Sequence, residues 1–172
     1  MDFLAQVAPL SGYLAEIGLG LALALIWLTL DLRRRRRAAR VWVVLDGSNV
    51  MHWHEGTPKI ETVIEVIHTL EARGFTAGVV FDANAGYKVL GRYLGDNDLA
   101  RRLKLPPDRV LVVGRGTPAD PVILQAARDL GARIVTNDRY ADWAGDHPEL
   151  RQPGHLIRGG YRSGRLWLDL PG

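Results

Sequence analysis

Short runs of apolar residues alternate with amphipathic segments from Val41 to the end of the chain. Four runs are apolar almost throughout, which is typical of strands buried on both faces of a parallel sheet. These runs are Val41–Leu45, Thr76–Phe81, Val110–Val113 and Ala132–Thr136. We therefore predict four central strands in this part of the chain.

Two helices are predicted between these strands. Pro58 suits the first turn of one helix, and residues 60, 63, 64, 67 and 70 place apolar side chains at helical spacing before Gly74. Pro118 opens the other helix, and Gly131 ends it. Regular alternation of strand and helix predicts an α/β domain that has a mainly parallel sheet with helices on both faces.

The remaining segments are less regular. Tyr87–Leu103 is typical of a loop or a short helix, and Tyr140–Ala144 of a short helix. At the end of the chain, strand-like segments His155–Tyr161 and Arg165–Leu170 flank the turn residues Arg162-Ser163-Gly164. This pattern predicts a C-terminal β-hairpin.

The first forty residues have a different pattern. Ile17–Leu30 carries no charge, and the mostly apolar stretch from about Leu10 reaches the ~20 residues that a transmembrane helix needs. Tyr13 and Trp27 suit the membrane interfaces. We therefore predict a transmembrane anchor in residues 1–40 and a globular domain in residues 41–172. A helix buried in a core and a cleaved signal peptide are the alternatives.

An unbroken arginine run, Arg33–Arg37, directly follows the apolar stretch. Arginines beside a membrane helix stay on the cytoplasmic side. The run therefore predicts a single-pass protein of the cytoplasmic (inner) membrane with its C-terminal domain in the cytoplasm. A nucleic-acid-binding patch is the alternative interpretation. The formal net charge of +3 comes mostly from this cluster, so it is weak evidence for a nucleic-acid-binding domain.

Several classes of site are excluded or disfavoured. The 172 residues include no cysteine, which excludes disulfides, thiolate nucleophiles and cysteine-bound zinc. His52 and His54 form a His-x-His pair, but no third zinc ligand is spaced nearby. Gly114-Arg-Gly116 lacks the third glycine of a dinucleotide-binding loop. No Gly-x4-Gly-Lys-Ser/Thr loop is present, which excludes nucleotide hydrolysis through that motif.

Four aspartates follow separate strand-like runs or begin the helix after one. They are Asp46, Asp82, Asp120 and Asp138. In a parallel sheet these positions converge on the edge formed by the carboxyl ends of the strands. Because clustered carboxylates repel one another unless a cation lies among them, the pattern favours a hard divalent metal.

Each acidic motif also has a structural interpretation. Asp46-Gly-Ser-Asn49 is common in plain turns, and Asp120 suits the first turn of a helix on electrostatic grounds. Asp138 and Asp142 are four residues apart, so their carboxylates share a helix face if a helix begins by Asp138. A bound cation or a solvated surface would explain that pairing.

Taken in order, these motifs resemble a known family. Asp46-Gly-Ser-Asn-Val follows the first strand, Thr-Pro-Ala-Asp120 opens the helix after the third, and Thr-Asn-Asp138-x-Tyr-x-Asp142 follows the fourth. The set is similar to that of the NYN-type ribonucleases, which are PIN-like nucleases that include Regnase-type endoribonucleases. The resemblance covers roughly residues 41–172 with the closing hairpin. It implies a PIN-like, Rossmann-like three-layer sandwich.

The resemblance also implies a site and a chemistry. The catalytic residues would be Asp46, Asn49, Asp120, Asp138 and Asp142, and all of these except Asn49 would be metal ligands. Mg²⁺ or Mn²⁺ is the implied cofactor, and single-stranded RNA is the implied substrate. Regnase-type members often have a second aspartate where this chain has Pro121. Asp82 is a candidate to compensate for that missing carboxylate.

Basic and aromatic side chains are candidates for RNA contacts. The candidate substrate-binding residues are Ser48, Lys88, Arg92, Arg139, Arg158 and Arg162, with Arg165 as a further phosphate contact. Trp53, Tyr87 and Tyr140 are candidates for stacking on unpaired bases, with core packing as the alternative for each.

Three functions are compatible with these observations. The first is a membrane-anchored, metal-dependent endoribonuclease that cleaves single-stranded RNA. The second is a non-catalytic RNA-binding or scaffold module on the same fold. The third is a phosphotransfer receiver-like domain, but the adjacent acids and later lysine of such domains are missing. Association into a homo-oligomer stays open.

Overall fold

The computed structural model of the protein describes residues 17–31 and 40–170. The chain divides into two units, Met1–Arg40 and Val41–Gly172. In the first unit, residues 17–31 form helix α1. Its large apolar side chains are exposed, with Trp27 at 74%. Within the described residues, no helix is both long and apolar enough to cross a membrane.

Two parts of the predicted anchor are not covered by this observation. The beginning of the predicted span, residues 10–16, lies outside the described residues, and so does the arginine run at residues 33–37. The transmembrane anchor and its orientation therefore remain predictions.

A five-stranded parallel sheet forms the centre of the second unit. Its strand order is β3-β2-β1-β4-β5, and every neighbouring pair is parallel. The strands are β1 (Val41–Asp46), β2 (Phe75–Phe81), β3 (Val110–Val112), β4 (Arg133–Val135) and β5 (Leu156–Ile157). Valine, isoleucine and leucine fill most of these positions, as expected where both faces of a sheet are covered.

Helices cover both faces of this sheet. The helices of this unit are α2 (Gly47–Val50), α3 (Ile60–Glu71), α4 (Ala85–Leu90), α5 (Asp96–Leu103) and α6 (Ala119–Leu130), with short 3₁₀ turns at Pro107–Arg109, Ala141–Trp143 and Pro148–Arg151. On one face, Leu45 and Phe81 pack in a core with residues of α3 and α5. On the other face, Val44 and Ile134 pack with residues of α6. The predicted α/β architecture with a mainly parallel sheet is confirmed.

The C-terminal hairpin is also present, with one difference in its first strand. β6 (Gly159–Arg162) and β7 (Arg165–Leu168) pair antiparallel around Ser163 and Gly164. Both turn residues have positive φ, 49° and 72°, as a tight two-residue hairpin loop requires. The single strand predicted over His155–Tyr161 is wrong, because its beginning joins the central sheet as β5 and the chain turns away at Arg158.

Candidate acidic site

The candidate site lies where the strand order reverses direction. The chain proceeds from β1 outwards to β2 and β3, then returns to place β4 on the other side of β1. Parallel sheets leave a crevice beyond the carboxyl ends of the strands at such a point. Asp46 is the last residue of β1, and Thr136 to Asp138 directly follow β4.

Asp46 is the buried member of the site, with only 6% of its surface exposed. Its Oδ1 accepts a hydrogen bond from the Asn49 amide at 3.0 Å, which caps α2. Its Oδ2 accepts bonds from the hydroxyls of Thr136 and Tyr140, both at 3.2 Å. These bonds fix the orientation of the carboxylate before any ligand binds.

Burial makes the charged form of Asp46 costly. Desolvation raises the pKa of the carboxyl from 3.8 to about 6, although the bonds from Asn49, Tyr140 and Thr136 favour the charged form. The negative charge of Asp120 adds a smaller upward contribution. A neighbouring cation would oppose both effects and hold Asp46 ionised.

Asp120 connects Asp46 with the other acids. It lies in the first turn of α6, and the polar side chain of Trp143 favours the charged form of its carboxyl and so opposes the rise in its pKa. Its pKa is raised first by partial burial and then by the charges of Asp138, Asp82 and Asp142. We use the name acidic site for Asp46, Asp82, Asp120, Asp138 and Asp142.

No described lysine, arginine or histidine forms a salt bridge with a member of the acidic site. In the described part of the chain, no three acidic or histidine side chains are grouped closely enough to form a ready metal site. The carboxylates therefore interact through their charges without forming a complete coordination shell. Mg²⁺ retains several waters and takes one or two carboxylates, so the oxygen donors and the unneutralised charge fit such an ion.

Asp138 and Asp142 do not share a helix face. The 3₁₀ turn begins at Ala141, and Tyr140 before it has a φ of 49°. The condition for a shared helix face, a helix that begins by Asp138, is therefore not met. Asp138 instead forms a local turn, in which its Oδ1 accepts a bond from the Tyr140 amide at 2.8 Å. This turn lets Tyr140 reach back to Asp46, while Asp142 stays exposed.

Ser48 and Asn49 are engaged within the protein. Ser48 Oγ accepts a bond from the Asp82 amide at 2.8 Å, which joins α2 to the loop after β2. Asn49 Oδ1 accepts bonds from Trp53 Nε1 at 2.8 Å and from the Asn137 amide at 2.9 Å. In this structure both side chains hold the loops of the site together.

Asn137 fastens the C-terminal hairpin to the site. Its Nδ2 donates to the Gly159 carbonyl at 2.8 Å, and its Oδ1 accepts from the Gly159 amide at 3.2 Å. A Cβ on Gly159 would lie 2.4 Å from the ring of Trp53, so only glycine fits this contact. Together with Thr136 and Tyr140, Asn137 supports the acids, and sequence reasoning did not assign this role to any of the three. Their place in the Thr-Asn-Asp-x-Tyr motif was the available signal.

The aromatic candidates have different surroundings. Tyr140 is 1% exposed and its hydroxyl binds Asp46, so the stacking role considered for it is wrong and the packing alternative is confirmed. Trp53 packs partly buried against the core and donates to Asn49. Tyr87 is 55% exposed and lies near the carboxyl edge of the sheet.

The candidate RNA-binding cations occupy several surfaces. Lys88, Arg92 and Arg139 are exposed. Arg158 donates to the Asp138 carbonyl at 2.9 Å, which places a cation beside the acidic site. The guanidinium of Arg162 lies 4.4 Å from the ring centre of Trp167. Arg165 is exposed at the hairpin tip.

The two histidines after β1 are used separately. His52 Nδ1 donates to the Ser48 carbonyl at 2.8 Å. His54 lies 2.8 Å from Lys59 Nζ through its Nδ1, and its ring packs edge-on against Tyr161. Neither arrangement brings the pair together around a common ion.

Comparisons with known proteins agree with this architecture. Two solved structures of nuclear protein-only RNase P 2 (PRORP2) from Arabidopsis thaliana share 16% identity with the chain. The first has a TM-score of 0.57 and covers 83% of this chain and 32% of that one. The second has a TM-score of 0.50, with coverage of 91% and 35%. The chain thus spans about a third of the length of PRORP2, and the likeness shows the fold.

The family comparison is more specific. No match was found among curated proteins. The family model described as Zc3h12a-like Ribonuclease NYN domain matches residues 39–156, which is more than half of the chain. This match includes β1 to β4 and all five members of the acidic site. The chain therefore belongs to the Zc3h12a-like ribonuclease NYN domain family.

Proposed function

We propose that this chain is a divalent-metal-dependent endoribonuclease that hydrolyses phosphodiester bonds of single-stranded RNA. The main support is the set of unneutralised carboxylates at the carboxyl edge of the sheet, centred on the buried Asp46. Because the chain belongs to a ribonuclease domain family, we interpret this cluster as the site of metal-dependent RNA hydrolysis. Without a cation the buried carboxylate of Asp46 is costly, because desolvation raises its pKa and no described side chain forms a salt bridge with it.

The candidate ligands of Mg²⁺ or Mn²⁺ are Asp46, Asp120, Asp138 and Asp142, of which one or two would bind the ion directly while water completes its coordination. When bound, the ion polarises the scissile phosphate and lowers the pKa of a water nucleophile. Thr136 and Tyr140 hold Asp46 in one orientation, and Asn49 and Asn137 keep the loops after β1 and β4 together. Asp82 adds negative charge near Asp120. This charge would attract the cation without direct coordination by the Asp82 carboxylate.

Basic side chains around the acidic site would receive the RNA backbone. Arg158 lies at the site itself through its bond to the Asp138 carbonyl, and Arg162 lies on the hairpin that Asn137 fastens to the site. Lys88, Arg92 and Arg139 extend the cationic surface. Phosphate contacts of this kind depend on salt and do not read sequence.

The decisive experiment is a gel cleavage assay of the full chain on single-stranded RNA with Mg²⁺ or Mn²⁺. Asp46→Asn keeps the size of the side chain and removes the charge. We expect it to lower kcat/KM by about a thousand-fold, in the upper range for loss of one preorganised charge-stabilising group. Asp98→Asn is the matched control, because Asp98 pairs with Arg101 on the exposed side of α5.

Two results would contradict this proposal. Equal cleavage by the wild type and by Asp46→Asn would point to a contaminating nuclease or to another site. Binding of several RNAs without cleavage in either metal would favour the scaffold module. Pro121, which occupies the first turn of α6, motivates that alternative because it leaves one carboxylate fewer than many relatives carry.

We also propose that residues 1–40 tether this domain to the cytoplasmic membrane with the nuclease domain in the cytoplasm. The support is the sequence pattern, in which the apolar stretch from about Leu10 ends at the arginine run. A reporter enzyme fused to the C-terminus should be active on the cytoplasmic side. Recovery of the full chain in the soluble fraction, or a reporter active outside the cytoplasm, would overturn the tether or its orientation.

A further inference from the structure

A second recess opens on the same edge of the sheet as the acidic site. It lies between the loop after β2 and the loop after β3, and its volume is about 430 Å³. Small-molecule pockets span roughly 300–1,000 Å³, so one nucleotide fits. The two loops are neighbours because β2 and β3 pair up to Phe81 and Val112, after which the Val113 amide donates to the Phe81 carbonyl at 2.9 Å.

Asp82 belongs to both the recess and the acidic site. It lines the recess, and its charge contributes to the raised pKa of Asp120. Its backbone amide is fixed by the bond to Ser48 Oγ, which ties the recess to α2. A nucleotide in the recess would therefore lie next to a phosphodiester at the acids.

The other lining residues match the parts of a nucleotide. Tyr87 is 55% exposed, and no described ring stacks on it, so its face is open to a base. Asn84 precedes α4, and its side chain makes no capping bond. Its amide can donate to and accept from a base edge. Thr117 adds a hydroxyl to the same wall.

The two loops that line the recess carry side chains of opposite charge. Arg115 is exposed, and no described carboxylate forms a salt bridge with it. A phosphate would be attracted to Arg115 and repelled by Asp82 on the opposite loop. A ribose hydroxyl, in contrast, can donate to the Asp82 carboxylate.

We propose that this recess is a nucleotide-binding subsite of the nuclease, in which an unpaired RNA base stacks on Tyr87, Asn84 reads its edge and Arg115 binds a flanking phosphate. The assignment rests on the proposed endoribonuclease function. It gives the Gly114-Arg-Gly116 loop a role in substrate binding and makes the β2 and β3 loops the source of base preference.

The first test measures binding of short single-stranded RNA to the full chain in EDTA, where no cleavage is expected. Tyr87→Ala should weaken binding by about ten-fold, the usual loss for one stacked base, and Tyr87→Trp should bind at least as tightly as the wild type. Tyr93→Ala is the matched control, because Tyr93 is 52% exposed and lies outside the recess. Equal effects of Tyr87→Ala and Tyr93→Ala would overturn the stacking role.

The second test uses the salt dependence of binding. Arg115→Ala should make the negative slope of log K against log salt shallower by about 0.7, as expected for one lost phosphate contact on a single strand. Tyr87→Ala should leave that slope unchanged. Arg102→Ala is the control, since Arg102 is exposed at the end of α5. An Arg115→Ala slope equal to that of Arg102→Ala would overturn the phosphate contact.

The third test maps cleavage of one RNA in Mg²⁺. Asn84→Ala should change the order in which bonds are cut, because the side-chain amide no longer discriminates between base edges. An unchanged cleavage map would overturn the reading role of Asn84. A wild type that cuts no RNA but shows the expected binding hierarchy would contradict the nuclease proposal and still support the subsite.

Discussion

Asp46 and Asp142 belong to the same acidic site and are held in opposite ways. Asp46 is buried, and three donors from two distant parts of the chain fix its carboxylate. Asp142 is exposed in a 3₁₀ turn, and its charge is the last of those that raise the pKa of Asp120. The comparison indicates a site with one preorganised ligand and several adjustable ones. Desolvation of the preorganised ligand lowers the stability of the metal-free protein most, whereas the exposed Asp142 contributes only through weaker charge repulsion.

The strongest test of this comparison is the pH dependence of stability in EDTA. The Asp46 carboxyl has a pKa of about 6 in the folded protein and 3.8 as a model value. Between these values the folded state binds more protons than the unfolded state. The free energy of unfolding should therefore fall as the pH rises from about 4 to about 6, by up to about 3 kcal/mol.

Urea unfolding at several pH values measures this loss. Asp46→Asn should remove most of the slope and should be more stable than the wild type at pH 7 in EDTA. Asp142→Asn is the matched control, because it removes an exposed acid of the same site. Identical pH profiles for the wild type and Asp46→Asn would show that burial does not perturb Asp46. Excess Mg²⁺ should restore wild-type stability at pH 7, because the ion binds the ionised form.

Removal of the Tyr140 hydroxyl tests whether the hydrogen bonds to Asp46 matter. Tyr140→Phe keeps the buried ring and deletes one donor to Oδ2. We expect metal affinity and cleavage to fall by about ten-fold, at the lower end for loss of a residue that orients a ligand. The loss of this donor also raises the pKa of Asp46, so the acidic limb of the pH–rate profile should move to higher pH.

A role in packing alone would leave a different signature. It would lower the melting temperature while leaving the metal concentration for half-maximal activity and the pH profile at their wild-type values. High Mg²⁺ should rescue Tyr140→Phe substantially, whereas it should not rescue Asp46→Asn. Failure of that distinction would remove the proposed positioning role of Tyr140.

The smallest expected effect belongs to Asp142. Asp142→Asn should reduce cleavage by about two- to five-fold, which corresponds to the range for one exposed charge interaction. A water can replace a solvated carboxylate around Mg²⁺ at little cost. Cleavage rates across a Mg²⁺ titration provide the measurement. A loss as large as that of Asp46→Asn would show that Asp142 is an essential ligand and would end the contrast between the two residues.

The sequence was sufficient to predict the sheet and the edge where its acids meet. Val41–Leu45 and Thr76–Phe81 are apolar runs whose length and flanking turns allow little else, and parallel topology then places Asp46 and Asp82 at one edge. The hairpin was predictable for the same reason, since Ser163-Gly164 suits a tight turn. These features depend on residues that are close together in the sequence, so they could be predicted from it.

The support of the site could not be predicted, because it depends on contacts between distant residues. Tyr140 binds Asp46 across 94 positions. The Thr-Asn-Asp-x-Tyr motif marks Tyr140 as part of the site, but it does not distinguish a buried donor from an exposed stacking ring. The positive φ of Tyr140 also prevents a continuous helix from Asp138 to Asp142, so the two carboxylates do not share a helix face. The division of His155–Tyr161 depends on pairing of β5 with β4, which a strand-like pattern does not reveal.

The attachment of the hairpin at Gly159 has a practical consequence for protein engineering. Asn137 and the ring of Trp53 fix the hairpin at its base, while Ser163 and Gly164 at its tip carry no tertiary hydrogen bond among the described residues. The loop between β6 and β7 is therefore a place where residues can be inserted or exchanged without moving the acids. A nuclease with a new RNA preference could be built by grafting a recognition loop at this tip and leaving Gly159 unchanged.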